Sequence, residues 1–224
     1  MRLILTVIAL CILPLPLAAE SFMGRGYALF DGHSGPGRAP LVLVLHGAGG
    51  TGPQLRVSSG FDAHAARAGV IAVYPSAPRL WNDGRWAALG RDDIAARDDV
   101  GWLLALVDHL VARGRADPAQ VHVLGHSNGG GMAMALACAA PRRLAGIAVV
   151  ATKVLDGVPC AQPAPLPAVF FYGTQDRVAP HAGRGSDDRG GATLSARESV
   201  ALWRARNRCQ GLSVVALDPV PGDG

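Results

Sequence analysis

Short runs of Leu, Val, Ile and Ala recur along the chain at Leu41–Leu45, Val70–Tyr74, Val121–Leu124, Gly146–Val150 and Ala168–Tyr172. None alternates apolar with polar residues, so each reads as a strand covered on both faces. Longer stretches with a helical period lie between them. Val100, Leu103, Leu104, Val107, Leu110 and Val111 share one face at a 3.6-residue period. Met132–Ala139 is a second helix, Ala196, Val200 and Trp203 mark a third, and Phe61–Ala68 is a shorter one. Strands alternating with helices imply parallel βαβ units: a mostly parallel α/β sheet with helices on both faces. The stretch Gly183–Gly191, rich in glycine and charge, reads as a solvated loop. A chain of 224 residues suits a single domain of this class.

The first residues have another purpose. Arg2 precedes an apolar run, Leu3 to Leu17, that is broken by Pro14 and Pro16 and followed by Ala18-Ala19. A basic start, a short apolar core and small residues at the exit make residues 1–19 a secretory signal peptide. The prolines cut the uninterrupted span below the ~20 residues that a bilayer requires. The domain is therefore expected over 20–224, secreted to the periplasm or medium, with no membrane contact after cleavage. Export places cysteines in an oxidising compartment. Cys11 leaves with the signal, and Cys138, Cys160 and Cys209 remain. The net charge is +4, and Lys153 is the only lysine among 21 basic residues. The arginines are scattered without aromatic interleaving, which speaks against a nucleic-acid partner.

Chemistry enters at Gly125-His126-Ser127-Asn128-Gly129, a G-x-S-x-G string between the Val121–Leu124 strand and a helix. A nucleophilic serine needs that context, because it sits on a sharp strand-to-helix turn with its hydroxyl exposed. The plainer reading is a serine that merely caps the helix. A nucleophile also needs donors for an oxyanion. The N–H of Asn128 is one, and the loop His46-Gly47-Ala48-Gly49-Gly50 after an early strand supplies another, assigned to Ala48. His46 precedes that loop and reads as a structural histidine pinning it. The acid should follow a late strand, and Gly173-Thr174-Gln175-Asp176 places Asp176 there. Asp98 and Asp99 are its rivals, but they stand at a helix start, where carboxylates favour the dipole. Serine before aspartate is the chain order of the α/β-hydrolase fold.

The strings LVLVLHGAGG, DDVGWLLALVDHL, VHVLGHSNGGGMAMALAC and FFYGTQDRVAP resemble the polyhydroxybutyrate depolymerase and feruloyl esterase family of carboxylesterases, over roughly Gly24 to Gln210. The resemblance implies an α/β-hydrolase fold and a secreted serine esterase. It would form an acyl-enzyme on Ser127, act on a polyhydroxyalkanoate or feruloyl/acetyl type of ester, and use no metal or cofactor. Trp81-Asn82-Asp83-Gly84-Arg85 also resembles a family segment and is expected to be an exposed loop. His181 stands where the family usually has an aromatic residue.

The base is harder to place. In this fold it is a histidine after the last strand, downstream of the acid. Of His33, His46, His64, His109, His122, His126 and His181, only His181 follows Asp176, five residues on in the same loop. His126 adjoins Ser127 and is expected to point away on the turn. The string Pro219-Val220-Pro221-Gly222-Asp223-Gly224 reads as a turn. The fold is thus expected to lack its last strand and histidine loop, and the sequence to be incomplete. Cys209 agrees, since its family counterpart resembles a cysteine paired further downstream. The alternative is a catalytically inactive protein that binds an ester or polymer with a relic site. Cys138, ending the helix after the nucleophile, and Cys160, following the next strand, can approach one edge and are expected to pair.

The signal pattern makes a direct prediction. Intact-mass analysis of the exported protein should place the amino terminus near Glu20; Met1 retained on a cytoplasmic protein would overturn the assignment.

Overall fold

The computed structural model describes residues 20–160, 164–185, 191–211, 213 and 215. The signal peptide, the turn-like string at 219–224 and the middle of the Gly183–Gly191 loop lie outside the described residues. Seven strands form one sheet: β1 Glu20–Phe22, β2 Arg25–Asp31, β3 Ala39–Leu45, β4 Ile71–Pro75, β5 Ala116–His126, β6 Gly146–Val150 and β7 Ala168–Phe171. Their order is β1-β2-β4-β3-β5-β6-β7. β4, β3, β5, β6 and β7 run parallel, and β1 and β2 add an antiparallel edge. The helices are α1 Gly52–Ser59, α2 Phe61–Ala68, α3 Asp92–Ala95, α4 Asp99–Ala112, α5 Asn128–Ala139 and α6 Ala196–Arg206. The α/β reading of the sequence is what the structure has.

Strand period divides the core into two layers. Leu41, Leu43 and Leu45 of β3, with Val121, Val123, Ile147 and Val149, face Leu103, Leu106, Met132 and Leu136 of α4 and α5. Val44, Ala72 and Tyr74 face Ala65 of α2, with Leu55 of α1 packed beside them. Successive strand residues point to opposite faces, so a central strand can feed both layers only if it is apolar throughout. Each fully buried leucine contributes about 2 kcal/mol of apolar transfer. β7 departs from this. Phe170 packs on the α4/α5 side, while Val169 and Phe171 on the opposite face remain 53% and 57% exposed. Among the described residues β7 has β6 as its only neighbour.

The sequence reading overlooked β1, β2 and α1. Arg25-Gly26-Tyr27 is no apolar run, yet the strand it opens is antiparallel and half-covered. Met23 and Gly24 both adopt positive φ, 45° and 77°. That pair makes the two-residue turn whose twist suits a hairpin. In α1, Thr51 caps the helix by accepting from the Gln54 amide.

Cys138 and Cys160 are joined by a disulfide across 22 residues, and Cys209 is free and exposed. Arg206 of α6 braces the bridge, its Nη1 within 3.7 Å of both sulfurs and its Nη2 donating to the Ala137 carbonyl at 2.6 Å. A loop of this length should contribute about 3 kcal/mol by restricting the unfolded chain. Thiol counting on denatured, unreduced mature protein should therefore find one thiol, rising to three on reduction. Three thiols without reductant would exclude the bridge in the exported form.

Candidate active site

β5 ends at His126, and the next residue turns the chain into α5. Ser127 makes that turn at φ 52°, ψ −119°, a conformation costly to a residue with a side chain. Its N–H donates to the Val150 carbonyl at the end of β6, 2.8 Å away. The flanking glycines are dictated by proximity. A Cβ on Gly125 would lie 2.1 Å from the Gly129 oxygen, and one on Gly129 would lie 2.4 and 2.5 Å from the Leu45 and His46 oxygens. The turn is thus pressed against the end of β3, and α5 begins directly behind the serine. Its first amides have no partner within the helix and carry the positive end of the dipole.

The loop after β3 passes over the serine. A Cβ on Gly47 would stand 3.4 Å from the Ser127 Cβ and 2.9 Å from the His126 Nδ1. The Gly49 and Gly50 amides are spent on the Arg79 and Gly47 carbonyls. Among the described residues no backbone bond engages the Ala48 amide. Ala48 and Asn128 therefore stand on the two backbone segments that meet at Ser127.

His46 cannot serve as a base. Its Nε2 accepts the Ala77 amide at 3.0 Å, which leaves Nδ1 protonated to donate to the Gly47 carbonyl at 2.7 Å. Burial pushes its pKa below the usual histidine value, so the ring is neutral and both nitrogens are occupied. It pins the loop. His126 is exposed beside Gly47, and His181 is exposed in the loop beyond Asp176, where its carbonyl accepts the Ala196 amide at 2.9 Å. Among the described residues no side chain hydrogen-bonds the Ser127 hydroxyl.

Trp81–Arg85 is not the exposed loop expected. Trp81 and Asp83 are 0% and 1% exposed. Trp81 donates through Nε1 to the His46 carbonyl at 3.0 Å and through its backbone N–H to the Asn128 Oδ1 at 2.7 Å. Asn128 Nδ2 returns to the Trp81 carbonyl at 3.1 Å and to Asp83 at 2.9 Å, and Arg85 pairs with Asp83. This segment locks the residue after the serine to the residue before the Gly47 loop. Polar side chains are buried here because each has a partner, which single-residue polarity does not reveal. Asp98 and Asp99 have structural duties: Asp98 caps α4 through the Gly101 amide, and Asp99 is buried against Arg25 at 2.7 Å. Asp176 follows β7, one strand removed from Ser127 at the same carboxyl edge of the sheet. Its Oδ1 accepts the Val178 and Ala179 amides, both at 2.8 Å, and these bonds hold its pKa below the ordinary carboxylate value.

Residues 26–179 match the family described as Esterase PHB depolymerase. The chain belongs to this family. A protein of Nocardia uniformis subsp. tsuyamanensis named "Putative esterase NocK" is 35% identical over 167 residues, 71% of this chain and 47% of that one. The poly(3-hydroxybutyrate) depolymerase of Ralstonia pickettii is 35% identical over 122 residues, 50% of this chain and 25% of that one. The chain thus spans less than half the length of the curated relatives it matches. A solved structure titled as a thermostable esterase superposes with a TM-score of 0.57 at 16% identity, covering 82% of this chain and 48% of that one. That likeness shows the α/β-hydrolase fold.

The lock on Asn128 generates a prediction. Asn128→Leu keeps the volume but strands the buried Trp81 N–H and carbonyl and removes a partner of Asp83. Urea unfolding should show a loss of at least about 2 kcal/mol; a change under about 0.5 kcal/mol would mean the network carries no stability.

Proposed function

We propose that the chain carries the nucleophile, oxyanion and acid parts of a secreted serine carboxylesterase. The strained Ser127, set at the head of α5 beside the Gly47 loop, is the observation that carries this reading. A base takes the Ser127 proton as Oγ attacks the ester carbonyl carbon, and the Asn128 and Ala48 amides receive the oxyanion. The alcohol leaves with that proton. Water, activated by the same base, then releases the acyl group. Asp176 orients the base. The relatives' names point to polyhydroxyalkanoate or feruloyl esters as substrates, and the signal pattern and the disulfide support secretion.

Among the described residues this reading assigns no base, since His46 has both ring nitrogens occupied and neither His126 nor His181 is bonded to Ser127. The second reading, an ester- or polymer-binding protein with a relic site, is favoured by the lack of any imidazole bonded to Ser127 among the described residues. One series separates them. The 224-residue chain should hydrolyse p-nitrophenyl esters at only about 10³–10⁴ over water, the level left by an oxyanion hole and binding alone. Added imidazole, supplying the base from solution, should raise both that turnover and fluorophosphonate labelling, and Ser127→Ala should abolish the gain. No labelling of Ser127, with or without imidazole, would establish the binding protein instead.

A further inference from the structure

Lys153, the only lysine in the chain, is 1% exposed. It lies three residues beyond β6, past a turn at Ala151 (φ 55°) whose amide donates to the Phe171 carbonyl at 3.0 Å. The next residue is fixed as well, the Val154 amide donating to the Ser199 hydroxyl at 3.1 Å. Its Nζ donates to the Ala179 carbonyl and sits 5.3 Å from the Tyr172 ring centroid. Ala179 is the residue whose amide Asp176 accepts. An ammonium is an expensive way to fill buried space, since a methionine of similar length would fit without a charge to desolvate. Its retention here calls for a charge on the other side.

We propose that Lys153 is a positioning residue for the acid loop: its buried ammonium ties the 176–179 turn to the end of β6 and orients Asp176 toward the carboxyl edge where Ser127 lies. The proposal rests on Asp176 being the acid of the esterase reading, but its test does not use activity. Among the described residues two cations donate to carbonyls of this turn. Lys153 holds the Ala179 carbonyl, and Arg184, from the loop before α6, donates to the Val178 carbonyl. Both act to keep Asp176 ionised, after the backbone bonds from Ala179 and Val178. Tyr172 faces Lys153 as a neutral phenol, its pKa pushed up to about 12 by burial. For Lys153 itself burial lowers the pKa, Asp176 opposes that, and Arg184 adds to it.

A single lysine gives a single side-chain resonance, so the coupling can be read without ambiguity. The chain labelled with ¹³C at lysine Cε should be titrated as it is and as Asp176→Asn. Removing the carboxylate should lower the Lys153 midpoint by about one pH unit, the size of an opposite charge within a few ångströms. Because coupling is reciprocal, Lys153→Met should raise the Asp176 carboxyl midpoint by a similar amount. A lysine midpoint unchanged within 0.2 units by Asp176→Asn, with the fold retained, overturns the proposal. Should Lys153→Met fail to fold, the lysine arm still decides. If Ser127→Ala leaves hydrolysis intact while the two groups remain coupled, the esterase reading falls and the placement of Lys153 stands.

Discussion

The site depends on one close approach, the passage of Gly129 beneath the carbonyls of Leu45 and His46. No side chain fits between them, so the end of β3 and the start of α5 meet at backbone contact. That contact draws the loop after β3 and the strained serine together, two elements far apart in the chain. Holding Ser127 at φ 52° costs on the order of 1–3 kcal/mol, which the surrounding packing must offset. The offset comes from α5, nearly all of whose first turns are buried, and from the Ser127 bond to Val150.

Around this contact the interior holds a polar network. Trp81 reaches both partners of the crossing, His46 on one side and Asn128 on the other, and Asp83 with Arg85 completes the set. In a low-dielectric interior such a network fixes one geometry, because any displacement leaves a group unpaired. The two candidate oxyanion amides are therefore held relative to each other by buried, mutually bonded side chains. A second buried pair, Asp99 with Arg25, performs the same service between α4 and the N-terminal hairpin and also accepts the Asn82 amide.

The parallel strands were legible as near-continuous apolar runs, since Leu41–Leu45 and Gly146–Val150 could be covered on both faces only in that form. The same criterion hid β2, whose one-sided burial produces no such run, and α1, whose start is marked by a cap rather than by apolar spacing. Ser127 was legible because the turn excludes side chains on both sides of it. The role of Trp81–Arg85 was not. Its polar residues read as solvent-exposed, and only the partners from β3 and α5, distant in sequence, explain their burial. The structural place of His46 is legible from its position before the loop, yet the partner of its Nε2 lies 31 residues away at Ala77. β7 illustrates the opposite error. Its composition reads as buried on both faces, whereas one face stands open among the described residues.

The burial of Lys153 also sets the reactivity of the folded surface toward electrophiles. Lys153 is enclosed, so the only lysine amine within residues 1–224 is shielded in the fold, and the 20 arginines do not acylate under mild conditions. Amine-directed dyes, cross-linkers and resins will therefore leave Lys153 unmodified while the fold is intact. A lysine-specific protease reaches the bond after Lys153 only once the end of β6 has opened, so the rate of that cut becomes a clock for local unfolding at the candidate site.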